Sequence, residues 1–178
     1  MTVSRGAWRV VMTAVACLMA TDAIAGKTET SGDILRVVIP AAAYGVAWHR
    51  GDDVGKRQFI KAFAGTVVTT YALKNIVDKE RPNGDDEAFP SGHAATSFAG
   101  AAFLHKRYGW REAWPAYLLS AYVGWTRVDT DEHDTEDVVA GAAVALAWNW
   151  WLVKPADQAA VTPVASSDTL GLSWQIRW

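Results

Sequence analysis

The chain has 178 residues, of which 51% are hydrophobic and ten are tryptophans. This is enough apolar material for one domain with a sizeable core, and it excludes disorder over most of the length. A formal net charge of −2, with Lys and Arg divided among separate small clusters, disfavours nucleic-acid binding. The single cysteine, Cys17, excludes an intramolecular disulfide.

The N-terminal segment has the pattern of a secretory signal. Residues 1–25 contain two arginines, then an apolar run, then an Ala-Ile-Ala tripeptide ahead of Gly26. This order is typical of a signal peptide with a small-residue cleavage site. We therefore expect a signal peptide over 1–25, a main domain over 26–155 and a tail over 156–178, with export to the periplasm of a Gram-negative-like cell.

Five further apolar segments follow, separated by polar or charged turns, and they predict five α-helices. Small residues such as Gly100 and Gly141 permit close contact between helices. The expected fold class is all-α, an antiparallel helix bundle. The apolar segments are 34–48, 59–77, 94–104, 114–125 and 138–153.

The sequence alone leaves a membrane-spanning bundle open. With the N-terminal segment included, there are six apolar segments. If all six crossed a membrane, the Lys and Arg clusters at their ends would all lie on the cytoplasmic side. Against this, segments 94–104 and 114–125 are far shorter than the ~20 residues a span needs, and the mean hydropathy is only +0.02. We favour a cleaved signal peptide and a periplasmic bundle that contacts the membrane surface.

Two cations and a proline end the second predicted helix. Lys74 and Arg81 are seven residues apart, close to two helical turns, so a continuous helix would carry both on one face until Pro82 stops it. Alone, the pair would be better interpreted as solvated cations paired with Asp78 or Glu80.

The run Pro90-Ser91-Gly92-His93 precedes the third predicted helix. Ser91 is placed as its N-cap, and the free backbone N–H groups of the first turn would attract an anion. An isolated His93 would be interpreted as a capping or partly buried histidine.

The third cluster is Arg127, His133 and Asp137. His133 and Asp137 are at i and i+4, so the carboxylate can reach one ring nitrogen while the other faces substrate, as in an activated nucleophile. A calcium loop built on the neighbouring aspartates is disfavoured because Asp134 occupies its glycine position.

The tail changes character. From Leu170 to Trp178 apolar and polar residues alternate strictly, which predicts a β-strand at an edge or in an interaction.

The patterns Lys-x6-Arg-Pro, Pro-Ser-Gly-His and Arg-x5-His-x3-Asp, in this order, resemble the type 2 phosphatidic acid phosphatase (PAP2) family and the related vanadium haloperoxidases. The resemblance runs from about Val54 to Val153. One detail departs from it: Thr126 stands where the family has serine before the arginine.

The resemblance implies a metal-independent phosphatase without a cofactor, acting on a phosphorylated lipid or a small phosphoester. It makes His133 the nucleophile, with Asp137 orienting it, and His93 the acid that protonates the leaving oxygen. It assigns phosphate binding to five residues: Lys74, Arg81, Ser91, Gly92 and Arg127. Two alternatives stay open, a vanadate-dependent haloperoxidase, whose chains are generally much longer, and a non-catalytic envelope protein whose terminal strand docks a partner.

Overall fold

The structure is a computed structural model that describes residues 28–156 in full and the backbone of two later segments, 160–166 and 169–175. The predicted signal peptide, 1–25, lies outside the described residues. The helices are α1 (Thr28–His49), α2 (Asp53–Ile76), α3 (Gly92–Tyr108), α4 (Trp110–Asp129) and α5 (Thr135–Leu152), and the strands are β1 (Ala160–Ser166) and β2 (Thr169–Gln175).

The prediction of an all-α bundle is confirmed, but two helices are longer than the apolar segments indicated. α3 has 17 residues and α4 has 20. α3 continues through the cations Lys106 and Arg107, which the helix dipole favours in a last turn. The expectation of two short helices was therefore wrong, because polar helix ends were counted as turns. Among the described helices, none is both long and apolar enough to cross a membrane.

α3 is the central helix and packs against the other four. Two glycines bring neighbouring backbones close, as the small-residue pattern predicted. A Cβ on Gly100 would lie 2.9 Å from the backbone of Pro40 in α1, and a Cβ on Gly141 would lie 2.4 Å from the carbonyl oxygen of Ser91. At the second contact, α5 packs directly against the N-terminus of α3.

The continuous helix expected from Lys74 to Arg81 does not form. α2 ends at Ile76, and Val77 is extended. Arg81 lies instead in a turn, where its N–H donates to the carbonyl of Asp85 at 2.7 Å. Pro82 accounts for the conformation of Arg81, because its ring disfavours the α conformation for the residue before it.

The end of the bundle away from the three motifs is closed by Asp52, the N-cap of α2. Its carboxylate accepts from Arg107 Nη2 at 2.6 Å and Nε at 2.7 Å, and from the Tyr108 hydroxyl at 2.8 Å. Arg107 also donates to the carbonyls of Lys154 and Pro155, so α2, α3 and the end of α5 are tied together.

The strand predicted in the tail is present as β2, although Ile176 to Trp178 lie outside the described residues. β2 pairs antiparallel with β1, from Ala160 opposite Gln175 to Ser166 opposite Thr169. The sequence pattern does not predict β1, since its residues are small and it contains Pro163. The boundary of the main domain at 155 stays a prediction.

Candidate active site

The three motifs meet at one end of the bundle, around a cavity of about 230 Å³. Five of the eight predicted site residues line it: Lys74 from the end of α2, Arg81 from the loop, Gly92 and His93 from the first turn of α3, and His133 from the segment before α5. The site is thus assembled from residues far apart in sequence.

His133 is almost fully buried, with 3% of its surface exposed. Its backbone N–H donates to the carbonyl of Arg127 at 3.0 Å, which fixes the segment between α4 and α5. Burial, then the nearby charges of Lys74 and Arg81, lower the pKa of His133 to about 4. The imidazole is therefore neutral at neutral pH and keeps the lone pair that a nucleophile needs.

Asp137 lies beside His133 but does not hydrogen-bond to it. The distance from Asp137 Oδ2 to His133 Nδ1 is 3.7 Å, and Nδ1 has no hydrogen-bond partner within the described residues. Oδ2 instead accepts the backbone N–H of Asp134 at 3.0 Å, in the capping box of α5, and Oδ1 accepts from Lys79 at 2.8 Å. Asp137 and His133 are thus close enough for a charge interaction. The hydrogen bonds from the Asp134 N–H and from Lys79 hold the Asp137 carboxylate in place.

Lys79 was not predicted. Its ammonium group lies 3.0 Å from Asp134, 2.6 Å from Glu136 and 2.8 Å from Asp137. Desolvation opposes the charged form, but the hydrogen bonds to these three carboxylates raise the pKa of Lys79 above its ordinary value. In the sequence Lys79 looks like any solvated lysine in a charged turn, and only the fold shows that it reaches α5.

Lys74 and Arg81 both point their charge at this end of the molecule. Lys74 donates to the carbonyl of Glu87, and its pKa is lowered by burial and by the neighbouring Arg81. Arg81 pairs with Glu132, while its Nε is buried without a partner within the described residues. Their partners are therefore not Asp78 and Glu80, on which the solvated-cation interpretation depended.

Ser91 is the N-cap of α3, as predicted. It is fully buried, and its Oγ accepts from the Ala94 N–H at 3.4 Å. Its own N–H donates to the Asp137 carbonyl at 2.9 Å, so it joins α3 to α5. Gly92 follows at the cavity wall, where the N-terminus of α3 favours an anion.

His93 is held by a residue that the sequence did not point to. Its Nε2 lies 2.6 Å from Asp33 Oδ1 on α1. Burial lowers the pKa of His93 to about 4, the bond to Asp33 opposes this, and Arg127 and Arg36 add to the lowering. A phosphate dianion bound between these groups would raise the pKa of His93 again.

Arg127 is buried, with 2% of its surface exposed, and lies behind the cavity wall. It donates to the carbonyl of Glu29 at 2.7 Å and to Thr126 Oγ1 at 3.3 Å, and its Nη1 lies 3.5 Å from Asp33. The hydroxyl of Thr126, which replaces the serine of the family pattern, also donates to the carbonyl of Val123 at 2.7 Å.

An apolar groove of about 430 Å³ lies beside the polar cavity. Arg36 and Thr96 line both, so the two spaces adjoin. The other walls come from α1 and α2: Val37, Pro40, Ala41, Tyr44, Phe59 and Phe63.

The cavity concentrates buried polar atoms that lack a partner. Within the described residues five such side-chain atoms occur, and three belong to cavity-lining residues: Thr70 Oγ1, Arg81 Nε and His133 Nδ1. A buried polar atom without a partner costs about 1–3 kcal/mol, so a ligand that pairs with it recovers that cost. In the same part of the chain no three His, Cys, Asp or Glu side chains are grouped to hold a metal ion.

Comparison with known proteins agrees with this geometry. Residues 83–158 match the PAP2 superfamily profile. A lipid A 4'-phosphatase of Helicobacter pylori is 30% identical over 132 residues, covering 66% of this chain and 65% of that protein. A lipid A 1-phosphatase of Porphyromonas gingivalis is 39% identical over 70 residues, covering 37% of this chain and 16% of that protein. The chain thus spans less than two thirds of the length of either relative.

Among solved structures, Aquifex aeolicus LpxE resembles this chain with a TM-score of 0.54 at 16% sequence identity, over 79% of this chain and 92% of that one. At this identity the likeness concerns the fold, and it is the all-helical fold found here. The matched profile and the two relatives make the chain similar to the PAP2 superfamily, and the solved structure shares its fold.

Proposed function

We propose that this protein is a phosphatase that hydrolyses a phosphomonoester or pyrophosphate, with a lipid phosphate as the favoured substrate, through a phosphohistidine intermediate. The observation that carries the proposal is a buried, neutral His133 lining the same cavity as Lys74 and Arg81. A neutral imidazole beside fixed cations is suited to attack on a phosphorus atom whose oxygens those cations hold.

The first step forms one bond and breaks another. A ring nitrogen of His133 gives its lone pair to phosphorus, and the bond from phosphorus to the leaving oxygen breaks with its electron pair on that oxygen. His93 supplies the proton that neutralises this oxygen. Lys74, Arg81 and the N-terminus of α3 bind the phosphoryl oxygens as negative charge moves onto them.

The second step returns the enzyme to its starting state. Water attacks the phosphorus of the phosphohistidine, and His93, now neutral, takes the proton that water loses. The bond from phosphorus to nitrogen breaks with its pair on His133, and inorganic phosphate leaves. Asp137, 3.7 Å from the ring, stabilises the positive charge that His133 carries between the steps.

Two observations support a lipid substrate. The apolar groove adjoins the polar cavity, so a molecule with a phosphate in one has apolar surface available for its hydrocarbon in the other. The names of the two relatives state that they act on lipid A. We accordingly propose lipid A or another phosphorylated lipid as the class to test first.

We also propose that the protein works in the cell envelope, with its site in the periplasm and a membrane surface nearby. Several large apolar side chains are exposed on its outside, among them Trp48 at 65%, Leu118 at 64% and Trp151 at 73%. Tryptophan is favoured where protein meets the interface of a bilayer.

The test is release of phosphate, with EDTA present, from a panel of lipid phosphates and from a soluble chromogenic ester. Wild type is compared with His133→Ala and with His49→Ala, which removes an exposed histidine outside the cavity. The proposal expects release by wild type and His49→Ala, and none above background by His133→Ala.

Two results would count against it. Full activity of His133→Ala would show that His133 is not the nucleophile. Activity that returns only when a divalent metal is added would contradict the metal-independent mechanism. Halide oxidation by the vanadate-loaded protein, without phosphate release, would favour the haloperoxidase alternative instead.

A further inference from the structure

The ring of His93 is oriented by a carboxylate from a different helix. Asp33 is on the second turn of α1, 60 residues before His93, and its Oδ1 lies 2.6 Å from His93 Nε2. This bond occupies one ring nitrogen and leaves Nδ1 as the nitrogen available to a leaving group. A histidine with one nitrogen held in this way has a defined tautomer and a defined ring plane.

The same carboxylate oxygen also lies 3.5 Å from Arg127 Nη1. Asp33 therefore contacts two residues that the family pattern assigns to the reaction, one on α3 and one on α4. Those two residues are 34 positions apart in the chain, and Asp33 contacts both, by a hydrogen bond to His93 and an ion pair with Arg127.

The position of Asp33 is set by backbone packing. A Cβ on the preceding residue, Gly32, would lie 2.4 Å from Thr126 Oγ1 and 2.7 Å from Arg127 Nη2. Since α1 approaches α4 this closely, the turn that carries Asp33 has little freedom to move. The side chain of Asp33 is 48% exposed, but the backbone that carries it is held in place.

We propose that Asp33 is a positioning residue for phosphoryl transfer: its carboxylate orients the His93 ring toward the leaving oxygen and holds the Arg127 guanidinium beside it. The inference rests on the proposed function. It also assigns α1, which carries none of the three motifs, a part in the reaction.

Charge supports the geometry. Burial, Arg127 and Arg36 all lower the pKa of His93, whereas the bond and charge of Asp33 raise it. Because the acid must carry a proton to act, Asp33 preserves the protonated fraction. The charged and titratable groups around this ring are Asp33 and Arg36 of α1, Lys74 of α2, Arg127 of α4, and Arg81, Glu87, Glu132 and His133 of the connecting segments.

The test compares wild type with Asp33→Asn, which keeps the shape and removes the charge, and with Asp33→Glu, which restores the charge. Asp33→Ser is a second neutral variant, and Asp78→Asn, which removes an exposed carboxylate outside the cavity, is the matched control. For each, kcat and KM are measured against pH on a soluble ester, and the His93 ring is titrated by NMR without substrate.

We expect Asp33→Asn and Asp33→Ser to lower kcat by about tenfold or more, with a smaller change in KM, because an acid out of position affects the transition state most. The alkaline limb of the pH profile and the NMR titration of His93 should both move to lower pH, with partial recovery in Asp33→Glu and none of these changes in Asp78→Asn.

A lower kcat with an unmoved limb and an unmoved His93 titration would make Asp33 merely structural and overturn the inference. An unchanged kcat in both neutral variants would overturn the inference as well. The proposed function would not be affected, because it depends on phosphate release by the wild type. If wild type itself released no phosphate, the proposed function would fail and the positioning role with it.

Discussion

The two ends of the bundle differ in whether their buried polar side chains have hydrogen-bond partners. At the end away from the motifs, Arg107 makes four hydrogen bonds, two to Asp52 and two to backbone carbonyls. At the motif end, Arg81 Nε and His133 Nδ1 are buried and have no hydrogen-bond partner in the part of the chain that the structure describes. Saturated polar groups stabilise the fold, whereas unsatisfied ones cost stability and persist where a ligand completes them. The difference separates a structural end from a binding end.

The largest effect on stability is expected at the structural end. Asp52→Ala leaves the guanidinium of Arg107 without its carboxylate and should lower the free energy of unfolding by about 3 kcal/mol. Chemical denaturation measures this, and kcat of the folded variant should match wild type. Asp53→Ala, which removes an exposed neighbour paired with Lys56, should change the free energy of unfolding far less, because solvent screens that pair. An equal loss in both variants would contradict the special role of the buried pair.

The largest effect on activity is expected at the binding end. Arg81→Met removes a cation that lines the cavity and should lower kcat by about 10²- to 10³-fold. Its melting temperature should stay near that of wild type, because the buried Nε without a partner is removed as well. Arg57→Met, an exposed cation on α2, should leave kcat unchanged. Loss of stability without loss of kcat in Arg81→Met would reverse the comparison.

An anion should complete the binding end and stabilise the whole protein. Vanadate, which imitates phosphate, should raise the stability of wild type by about 2.7 kcal/mol at a hundred times its dissociation constant. Thermal unfolding against vanadate concentration measures this. The increase should shrink in Arg81→Met and stay in Arg57→Met. An equal increase in all three proteins would place the anion outside the cavity.

Acidification should weaken the two ends in separate pH ranges. The pKa of His133 falls from 6.5 to about 4 on folding, so the unfolded chain takes up its proton first, and stability is lost as the pH drops from 6.5 toward 4. Burial alone would raise the pKa of Asp52, but hydrogen bonds from Arg107, the Gly55 N–H and Tyr108 lower it from 3.8 to about 2. The contribution of Asp52 to stability is therefore lost as the pH falls from 3.8 toward 2.

Melting temperatures of wild type, His133→Asn and Asp52→Asn across this pH range separate the two contributions. His133→Asn should reduce the slope of the upper part of the curve without abolishing it, because burial also lowers the pKa of His93 to about 4. Asp52→Asn should reduce the slope of the lower part. Curves of the same shape for all three proteins would show that neither group titrates as the structure indicates.

Sequence reasoning predicted the parts of the site that depend on local spacing. The N-cap role of Ser91 follows from one helix start, and the approach of Asp137 to His133 follows from an i to i+4 relation. Arg81 was misplaced on a helix because Pro82 was taken to end the helix after Arg81, when its ring already acts on Arg81 itself.

The partners that were missed come from other elements. Lys79 reaches carboxylates 55 to 58 residues further along the chain, and Asp33 reaches His93 across 60 residues. In the sequence both look like ordinary solvated charges, since neither has a periodic or spaced companion. Only the packing of α1 and of the loop after α2 brings them to the site.

In the proposed mechanism, His133 carries the phosphoryl group between the two steps. The direct measurement is to quench the protein during turnover of a phosphate-labelled substrate, digest it under alkaline conditions that preserve phosphohistidine, and locate the label by mass spectrometry. A phosphohistidine intermediate predicts an acid-labile label on His133 that is absent from His133→Ala and present in His49→Ala. Turnover without label on His133, or label on another side chain, would contradict it.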